Sequence, residues 1–327
     1  MELVLPRSAR SDGRGRVTSL FFLLGRRNWE ILRGAKEACT VDVRLVTLAE
    51  KYRSKKIDRR VFLERLIAVL GSYPLAHHWL ETSGWAMSLL SQAESESIGV
   101  ESTAVKYPAE GATLEGYLSR PKGSGPFPAI IVIHENRGLN EHIRDVTRRL
   151  AAEGIVALAV DHLSRKGGTA SFATPDAARD AIMALSGDQI VGDLDAADEY
   201  LEFHLAVRKD RIGVIGFCWG GQRSILYATA NASLKAAVVF YGATPPEEKL
   251  ANISCPVLAN YAQNDSRITD RVPDTAAAMQ RLGKDFDYKI YPGVGHAFFN
   301  DTGSAYNDAA AQDAWSRTIQ FLKKNLG

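Results

Sequence analysis

From residue 96 onward the chain alternates short β-branched apolar runs with longer segments whose apolar positions recur every three to four residues. The first pattern predicts strands and the second predicts helices, and their alternation is typical of βαβ units. The runs AIIVI at 129–133 and IVALAV at 155–160 contain no polar residue, which predicts strands buried on both faces of a parallel sheet. We therefore predict an α/β fold with a mostly parallel eight-stranded sheet flanked by helices.

The eight predicted strands are Thr103–Tyr107, Leu114–Leu118, Ala129–Ile133, Ile155–Val160, Ile212–Ile215, Ala237–Phe240, Val257–Tyr261 and Tyr288–Tyr291. The helical periodicity predicts helices at Glu141–Glu153, Asp176–Leu185, Val191–Val207, Gly220–Ala230, Val272–Leu282 and Asn307–Asn325. The sequence shows no internal repeat that would indicate an array of smaller units.

Residues 1–95 have a different texture and are predicted to form an N-terminal extension to a domain at 96–327. The opening segment is arginine-rich without periodicity, which is typical of a tail, and the polar stretch SQAESES at 91–97 reads as a linker. The Arg59-Arg60 pair before an apolar stretch resembles a twin-arginine export leader, although Pro74 and Glu81 interrupt that stretch. The same residues also fit an amphipathic helix. We expect a cytoplasmic protein, or a periplasmic one if the leader works.

The composition of the chain limits the classes of binding partner that we expect. The 327 residues are 46% hydrophobic and 24% charged with a net charge of +2, so charge gives no reason to expect nucleic acid or a membrane surface as partner. No apolar run is long enough to span a membrane. The three cysteines, Cys39, Cys218 and Cys255, suit neither a disulfide framework nor a metal site. We expect a small-molecule partner and no metal, and we leave a homodimer open.

The segment GVIGFCWGG places Cys218 in a G-x-nucleophile-x-G pattern between a predicted strand and a predicted helix. Such an elbow needs glycines two positions either side of the nucleophile, because the strained turn leaves no room for side chains there. A helix N-terminus also favours the thiolate. Cys218 is therefore predicted to be a nucleophile, whereas Cys39 and Cys255 are interpreted as small buried residues.

An elbow nucleophile requires a histidine and an acid, in the chain order nucleophile, acid, histidine. Asp265 follows the strand at Val257–Tyr261, and His296 follows the strand at Tyr288–Tyr291. Both lie just beyond a strand end, where sites in α/β proteins gather. The sequence therefore predicts a triad of Cys218, Asp265 and His296.

The loop after the strand Ala129–Ile133 reads HENRG and is predicted to complete the site. In such folds this loop gives one backbone N–H to an oxyanion hole, and the residue after the nucleophile gives the other. The predicted donors are the amides of Asn136 and Trp219. Glu135 is predicted to accept the thiol proton, and its alternative role is an ion pair with Arg137 or Arg144.

The segments VIHENRGLNEHIRDVTRRLAAEG, GDLDAADEYL, IGVIGFCWGG, YAQNDSRI and YPGVGHAFFN together resemble the dienelactone hydrolase family across roughly residues 100–327. The resemblance implies an α/β-hydrolase fold, no cofactor, the triad named above and a thiol-activating glutamate at position 135. It also implies lactone substrates that carry a carboxylate. In the best-known members of that family an arginine four residues after the histidine helps to hold the carboxylate. This chain has Asn300 there, so the resemblance implies that another residue such as Arg137, Arg179 or Arg267 would have to take its place.

We therefore predict a hydrolase of lactones or small carboxylic esters that works through a thioester, with Arg137, Phe298 and Asn300 in contact with substrate. Asn300 and the apolar Phe298 and Phe299 also suit a carboxylesterase without lactone preference. A hydrolase homologue that binds a ligand without catalysis is the rival from another class.

Overall fold

The computed structural model describes residues 44–45, 47–48, 51, 59–70 and 99–327. The chain divides into two compact units, Met1–Trp85 and Ala86–Gly327. In the first unit, helix α1 spans Arg59–Leu70, with Phe62 and Leu66 buried and Arg65 exposed. Burial four residues apart is the pattern of an amphipathic helix. The predicted tail, the linker at 91–97 and Cys39 lie outside the described residues, and the export leader stays a prediction.

The second unit contains one sheet whose eight strands include every predicted strand. The strands are β1 (Val100–Ala109), β2 (Ala112–Pro121), β3 (Phe127–Ile133), β4 (Val156–Val160), β5 (Val207–Phe217), β6 (Ala237–Phe240), β7 (Val257–Asn264) and β8 (Phe286–Gly295). Their order across the sheet is β1-β2-β4-β3-β5-β6-β7-β8. Strand β2 pairs antiparallel with both β1 and β4, and the other pairs are parallel. The predicted mostly parallel sheet is confirmed.

Helices connect the parallel strands and cover both faces of the sheet. They are α2 (Glu141–Ala152), α3 (Pro175–Met183), α4 (Gly187–Glu202), α5 (Trp219–Ala230), α6 (Glu247–Leu250), α7 (Ser266–Thr269), α8 (Val272–Arg281) and α9 (Asp308–Leu326). The four-residue helices α6 and α7 were not predicted, because so short a helix carries no periodicity.

One predicted helix, Val191–Val207, has the wrong bounds. The Ser186 hydroxyl accepts a 3.1 Å hydrogen bond from the backbone N–H of Gln189, and this N-cap starts α4 earlier in the chain. At the other end Val207 belongs to β5 and pairs with Phe127 of β3. The β-branched side chain suits the strand better than a last helical turn.

The core forms two layers, one on each face of the sheet. Ile131 and Ile133 point into the layer beneath α3, α4, α5 and α8, while Ile130 and Val132 point into the layer beneath α2 and α9. All four side chains are fully buried, as the alternation of a strand with two covered faces requires. The sheet is thus held rigidly, and its carboxyl edge is a fixed platform.

We expect Ile131→Ala to lower the free energy of unfolding by about 2–5 kcal/mol, because the truncation leaves a cavity in a close-packed layer. Denaturant unfolding measures the change. Leu205→Ala is the matched control, since Leu205 is 98% exposed and its truncation should stay within about 0.5 kcal/mol of the parent protein. Equal effects of the two substitutions would contradict the described core.

Candidate active site

Cys218 lies on a sharp turn between β5 and α5 at the carboxyl edge of the sheet. Its backbone adopts φ 57° and ψ −115°, a conformation that L-residues adopt only under constraint. The constraint comes from main-chain hydrogen bonds, because its N–H donates to the Phe240 carbonyl at 3.0 Å and its carbonyl accepts from the Gln222 N–H at 3.2 Å. The thiol is partly exposed.

The two elbow glycines are required by close backbone approach. A Cβ at Gly216 would overlap the carbonyl of Gly220, and a Cβ at Gly220 would overlap the carbonyls of Ile133 and His134. Strand β3 and helix α5 therefore approach each other closely enough only because these positions lack side chains.

Backbone strain is concentrated around this turn. Within the described part of the chain the non-glycine residues with positive φ are Cys218, Tyr241 at 38° and Ala297 at 64°. Tyr241 follows β6 directly, and Ala297 follows His296. Such strained residues persist where the surroundings over-determine them, and they cluster at functional sites.

His296 and Asp265 are hydrogen bonded to each other. Asp265 follows β7 and His296 follows β8, and the His296 Nδ1 lies 2.5 Å from the Asp265 Oδ2. The carboxylate is buried, and its side chain is 4% exposed. Asp265 also fixes the local turn, because its backbone carbonyl accepts from the N–H groups of Ile268 and Thr269 at 2.9 Å. An acid held this way sets the tautomer and orientation of the imidazole.

The imidazole of His296 also reaches the elbow sulfur. Burial alone would lower the pKa of His296, but the neighbouring Cys218 side chain and the bonded Asp265 raise that pKa to about 9. His296 is thus hydrogen bonded to Asp265 and interacts electrostatically with Cys218. The arrangement favours proton transfer between sulfur and imidazole.

Glu135 follows β3 and lies buried beside this series, with 6% exposure. The Tyr241 hydroxyl donates to its Oε1 at 3.2 Å, and the Asn300 Nδ2 donates to its Oε2 at 2.7 Å. Arg137 instead pairs with Asp176 at 2.6 Å. Within residues 99–327 the Glu135 carboxylate thus meets neutral donors rather than the ion pair that the sequence left open.

The predicted oxyanion donors are two backbone N–H groups, one in the turn after β3 and one at the start of α5. Asn136 follows Glu135 in the turn after β3, and Trp219 is the first residue of α5. Among residues 99–327, neither backbone N–H donates a hydrogen bond to another main-chain group. Free N–H groups at a helix N-terminus suit a developing negative charge.

Comparison with known proteins establishes the family. A family model described as "Dienelactone hydrolase family" matches residues 114–326, which is more than half of the chain. The chain belongs to the dienelactone hydrolase family. Its members hydrolyse esters or lactones, and the chain is a hydrolase of that class with an α/β-hydrolase fold.

Individual dienelactone hydrolase relatives match most of the domain. A Methylorubrum extorquens protein named "Putative carboxymethylenebutenolidase" is 32% identical over 262 residues, which are 74% of this chain and 89% of the relative. A Bradyrhizobium protein named "Probable 2-oxo-3-(5-oxofuran-2-ylidene)propanoate lactonase" is 34% identical over 228 residues, 66% of this chain and 91% of the relative. The crystal structure named "Putative Dienelactone Hydrolase from Klebsiella pneumoniae" superposes with a TM-score of 0.64 at 31% identity, covering 69% of this chain and 99% of that one.

Two of the residues predicted to contact substrate are engaged by other side chains of this family member. Phe298 is fully buried and packs on Tyr241 and Tyr291, with ring centroids 5.6 and 5.0 Å apart. Arg137 points to Asp176 on α3. Asn300 is buried against Glu135 and contacts this carboxylate itself.

Two groups near the site escaped the sequence analysis. The signal for Tyr241 was its position directly after a buried strand, the same signal that identified Asp265.

A buried ion cluster had no local signal in the sequence, because its members are far apart in the chain. Arg149 on α2 pairs with Asp145 and lies 2.9 Å from Asp301. Burial would raise the pKa of Asp301, but the neighbouring His142, 3.4 Å away, and the charge of Arg149 lower it.

Within the described range, no group of three side chains of the metal-binding types could hold an ion. Likewise, none of the described helices is long and apolar enough to cross a membrane.

We expect Gly216→Ala to lower the free energy of unfolding by at least about 3 kcal/mol, because the added methyl overlaps backbone atoms that cannot move independently. Gly192→Ala is the matched control. Gly192 lies inside α4 with open space around its missing Cβ, so alanine there should stabilise the protein by roughly 0.5–1 kcal/mol. Thermal and denaturant unfolding measure the change in the free energy of unfolding for both variants. If Gly216→Ala were as stable as the parent protein, the described close approach of backbone at the elbow would be contradicted.

Proposed function

We propose that this protein hydrolyses lactones or small carboxylic esters through Cys218, with a thioester intermediate. The observation that carries the proposal is the 2.5 Å hydrogen bond between His296 and the buried Asp265, together with the strained elbow Cys218, which raises the pKa of the same imidazole. A sulfur on a strained turn, an imidazole in contact with it and an acid behind that imidazole are the parts of a nucleophilic hydrolase.

In the acylation step His296 takes the proton of the Cys218 thiol and becomes an imidazolium, and the thiolate attacks the carbonyl carbon of the substrate and forms a C–S bond. The carbonyl oxygen becomes an oxyanion, which the backbone N–H groups of Asn136 and Trp219 stabilise. The C–O bond then breaks, and the leaving oxygen takes a proton from the His296 imidazolium. A lactone ring opens in this step, so that its alcohol stays attached to the acyl chain.

In the deacylation step His296 removes a proton from water, and the resulting hydroxide attacks the thioester carbon. The C–S bond breaks, the sulfur leaves as a thiolate, and the product is released as a carboxylic acid. Asp265 orients the imidazole throughout. Glu135 is the second acceptor for the thiol proton, and both Glu135 and Cys218 act electrostatically on the same Tyr241 hydroxyl.

The central test is Cys218→Ala. We expect it to lower kcat/KM for an aryl ester by at least about four orders of magnitude, because the covalent path is lost. Circular dichroism and the unfolding midpoint should stay close to the parent values. Cys255→Ala is the matched control, since Cys255 is buried away from the elbow, and it should keep its activity. Turnover by Cys218→Ala near the parental rate would refute the proposal.

Thiol labelling separates a catalyst from a homologue that only binds a ligand. Burial raises the pKa of Cys255 to about 11, so its thiolate is scarce at neutral pH. We expect iodoacetamide to alkylate Cys218 at least about a hundredfold faster than Cys255, as read by peptide mass spectrometry. Equally slow labelling of both cysteines would favour the non-catalytic homologue.

The pH profile of activity should show the titration of His296. Its pKa is raised to about 9, so the imidazolium that protonates the leaving oxygen exists below about pH 9 and is lost above it. We expect kcat/KM to fall as the pH rises through about 9. The stabilisation of the fold by the charged imidazole is fully present below its unfolded pKa and is lost over the same rise. A kcat/KM that stays level up to pH 11 would contradict this assignment.

A further inference from the structure

Within residues 99–327, the candidate site contains a buried carboxyl group that forms no ion pair with a cationic side chain. Glu135 is 6% exposed, and each of its oxygens accepts a hydrogen bond, one from Tyr241 and one from Asn300. Both donors are neutral groups, so neither of them brings a positive charge to the Glu135 carboxyl group. Asp265, by contrast, is paired with His296 at 2.5 Å.

The three arginines that could have anchored a substrate carboxylate are engaged or remote. Arg137 pairs with Asp176 at 2.6 Å. Arg179 pairs with Asp176 and Asp180 at 3.2 and 2.8 Å, and its side chain is 40% exposed. Arg267 lies 4.0 Å from Asp265 with its side chain 85% exposed, so it points into solvent.

Two further arginines of the described chain, Arg149 and Arg223, also bear on the charge around the candidate site. Arg149 is held by Asp145 and Asp301 in the buried ion cluster. Arg223 lies one helical turn beyond Trp219, with its guanidinium carbon 5.2 Å from the centroid of that indole. Burial lowers the pKa of Arg223, and its charge acts on His162. At Tyr241, in contrast, burial and the negative charges of Glu135, Cys218 and Asp301 raise the pKa of the hydroxyl.

From this distribution of charge we propose that the site selects substrates whose acyl portion is uncharged, and that Glu135 and Asn300 set this preference. A substrate carboxylate entering beside Glu135 would meet a like charge in a water-poor environment, where Coulomb repulsion is weakly screened. A neutral lactone or ester meets no such repulsion. The amide of Asn300 satisfies Glu135 by a hydrogen bond without cancelling its charge. This inference rests on the proposed hydrolase function.

The experiment compares two isosteric lactones, 5-oxotetrahydrofuran-2-carboxylate and 5-oxotetrahydrofuran-2-carboxamide. They share the ring and the scissile bond and differ in charge. For the parent protein we expect kcat/KM for the carboxamide to exceed that for the carboxylate at least about tenfold, the effect of one unfavourable like-charge contact. Ring opening can be followed by chromatography, with the uncatalysed rate subtracted.

Four variants test which side chains set the ratio of kcat/KM for the carboxamide to kcat/KM for the carboxylate. Asn300→Arg should bring a cation to Glu135 and lower the ratio at least about fivefold, and Glu135→Gln should lower it similarly even though total activity falls. Asn300→Gln keeps the charge unchanged and should keep the ratio. Arg223→Gln tests the competing anchor, and the ratio should not rise when that cation is removed. If Asn300→Arg does not fold, the ratio for the parent protein and the ratio for Glu135→Gln still test the proposed preference for uncharged substrates.

The outcomes separate this inference from the function on which it rests. If the parent protein opens neither lactone and no simple ester, the proposed hydrolase function fails. If it opens both and prefers the carboxylate, the function stands and the selection for neutral substrates is overturned. The same holds if Arg223→Gln removes turnover of the carboxylate alone, since Arg223 would then be its anchor. A parent ratio above ten that Glu135→Gln and Asn300→Arg both reduce supports the inference.

Discussion

The closeness of three backbone segments at the carboxyl edge of the sheet is the constraint on which the candidate site depends. The end of β3 and the start of α5 admit no Cβ at Gly216 or Gly220, and the end of β6 admits none at Gly221. This closeness holds Cys218 at a positive φ of 57°. Among residues 99–327, the N–H of Trp219 has no main-chain acceptor. Hydrophobic burial of the sheet supplies the free energy that maintains such strain.

The topology explains why the other site residues meet there. Parallel strands end at a common edge, so Glu135, Cys218, Tyr241, Asp265 and His296 each follow a different strand and yet lie together. Each of these positions is fixed by main-chain geometry more than by its own side chain. The functional groups therefore occupy loops whose ends are rigid, which limits the reorganisation needed during catalysis.

The sequence was sufficient for the features that local pattern encodes. All eight strands were predicted because buried parallel strands form uninterrupted apolar runs, and the elbow was predicted because its glycines have fixed spacing. The bounds of α4 were missed because a single capping hydroxyl, that of Ser186, decided where the helix starts. The burial of Phe298 and the partners of Arg137 were also missed, since side-chain direction in loops depends on contacts with distant segments such as Tyr291 and Asp176.

The cluster of Asp145, Arg149 and Asp301 joins α2 to the loop that carries His296 and Asn300. Arg149 lies between the two carboxylates, so replacing it by a neutral residue would remove the cation that both of them contact in the interior. A substitution in the middle of α2 would thereby act on the loop after His296, although the two segments lie about 150 positions apart in the chain.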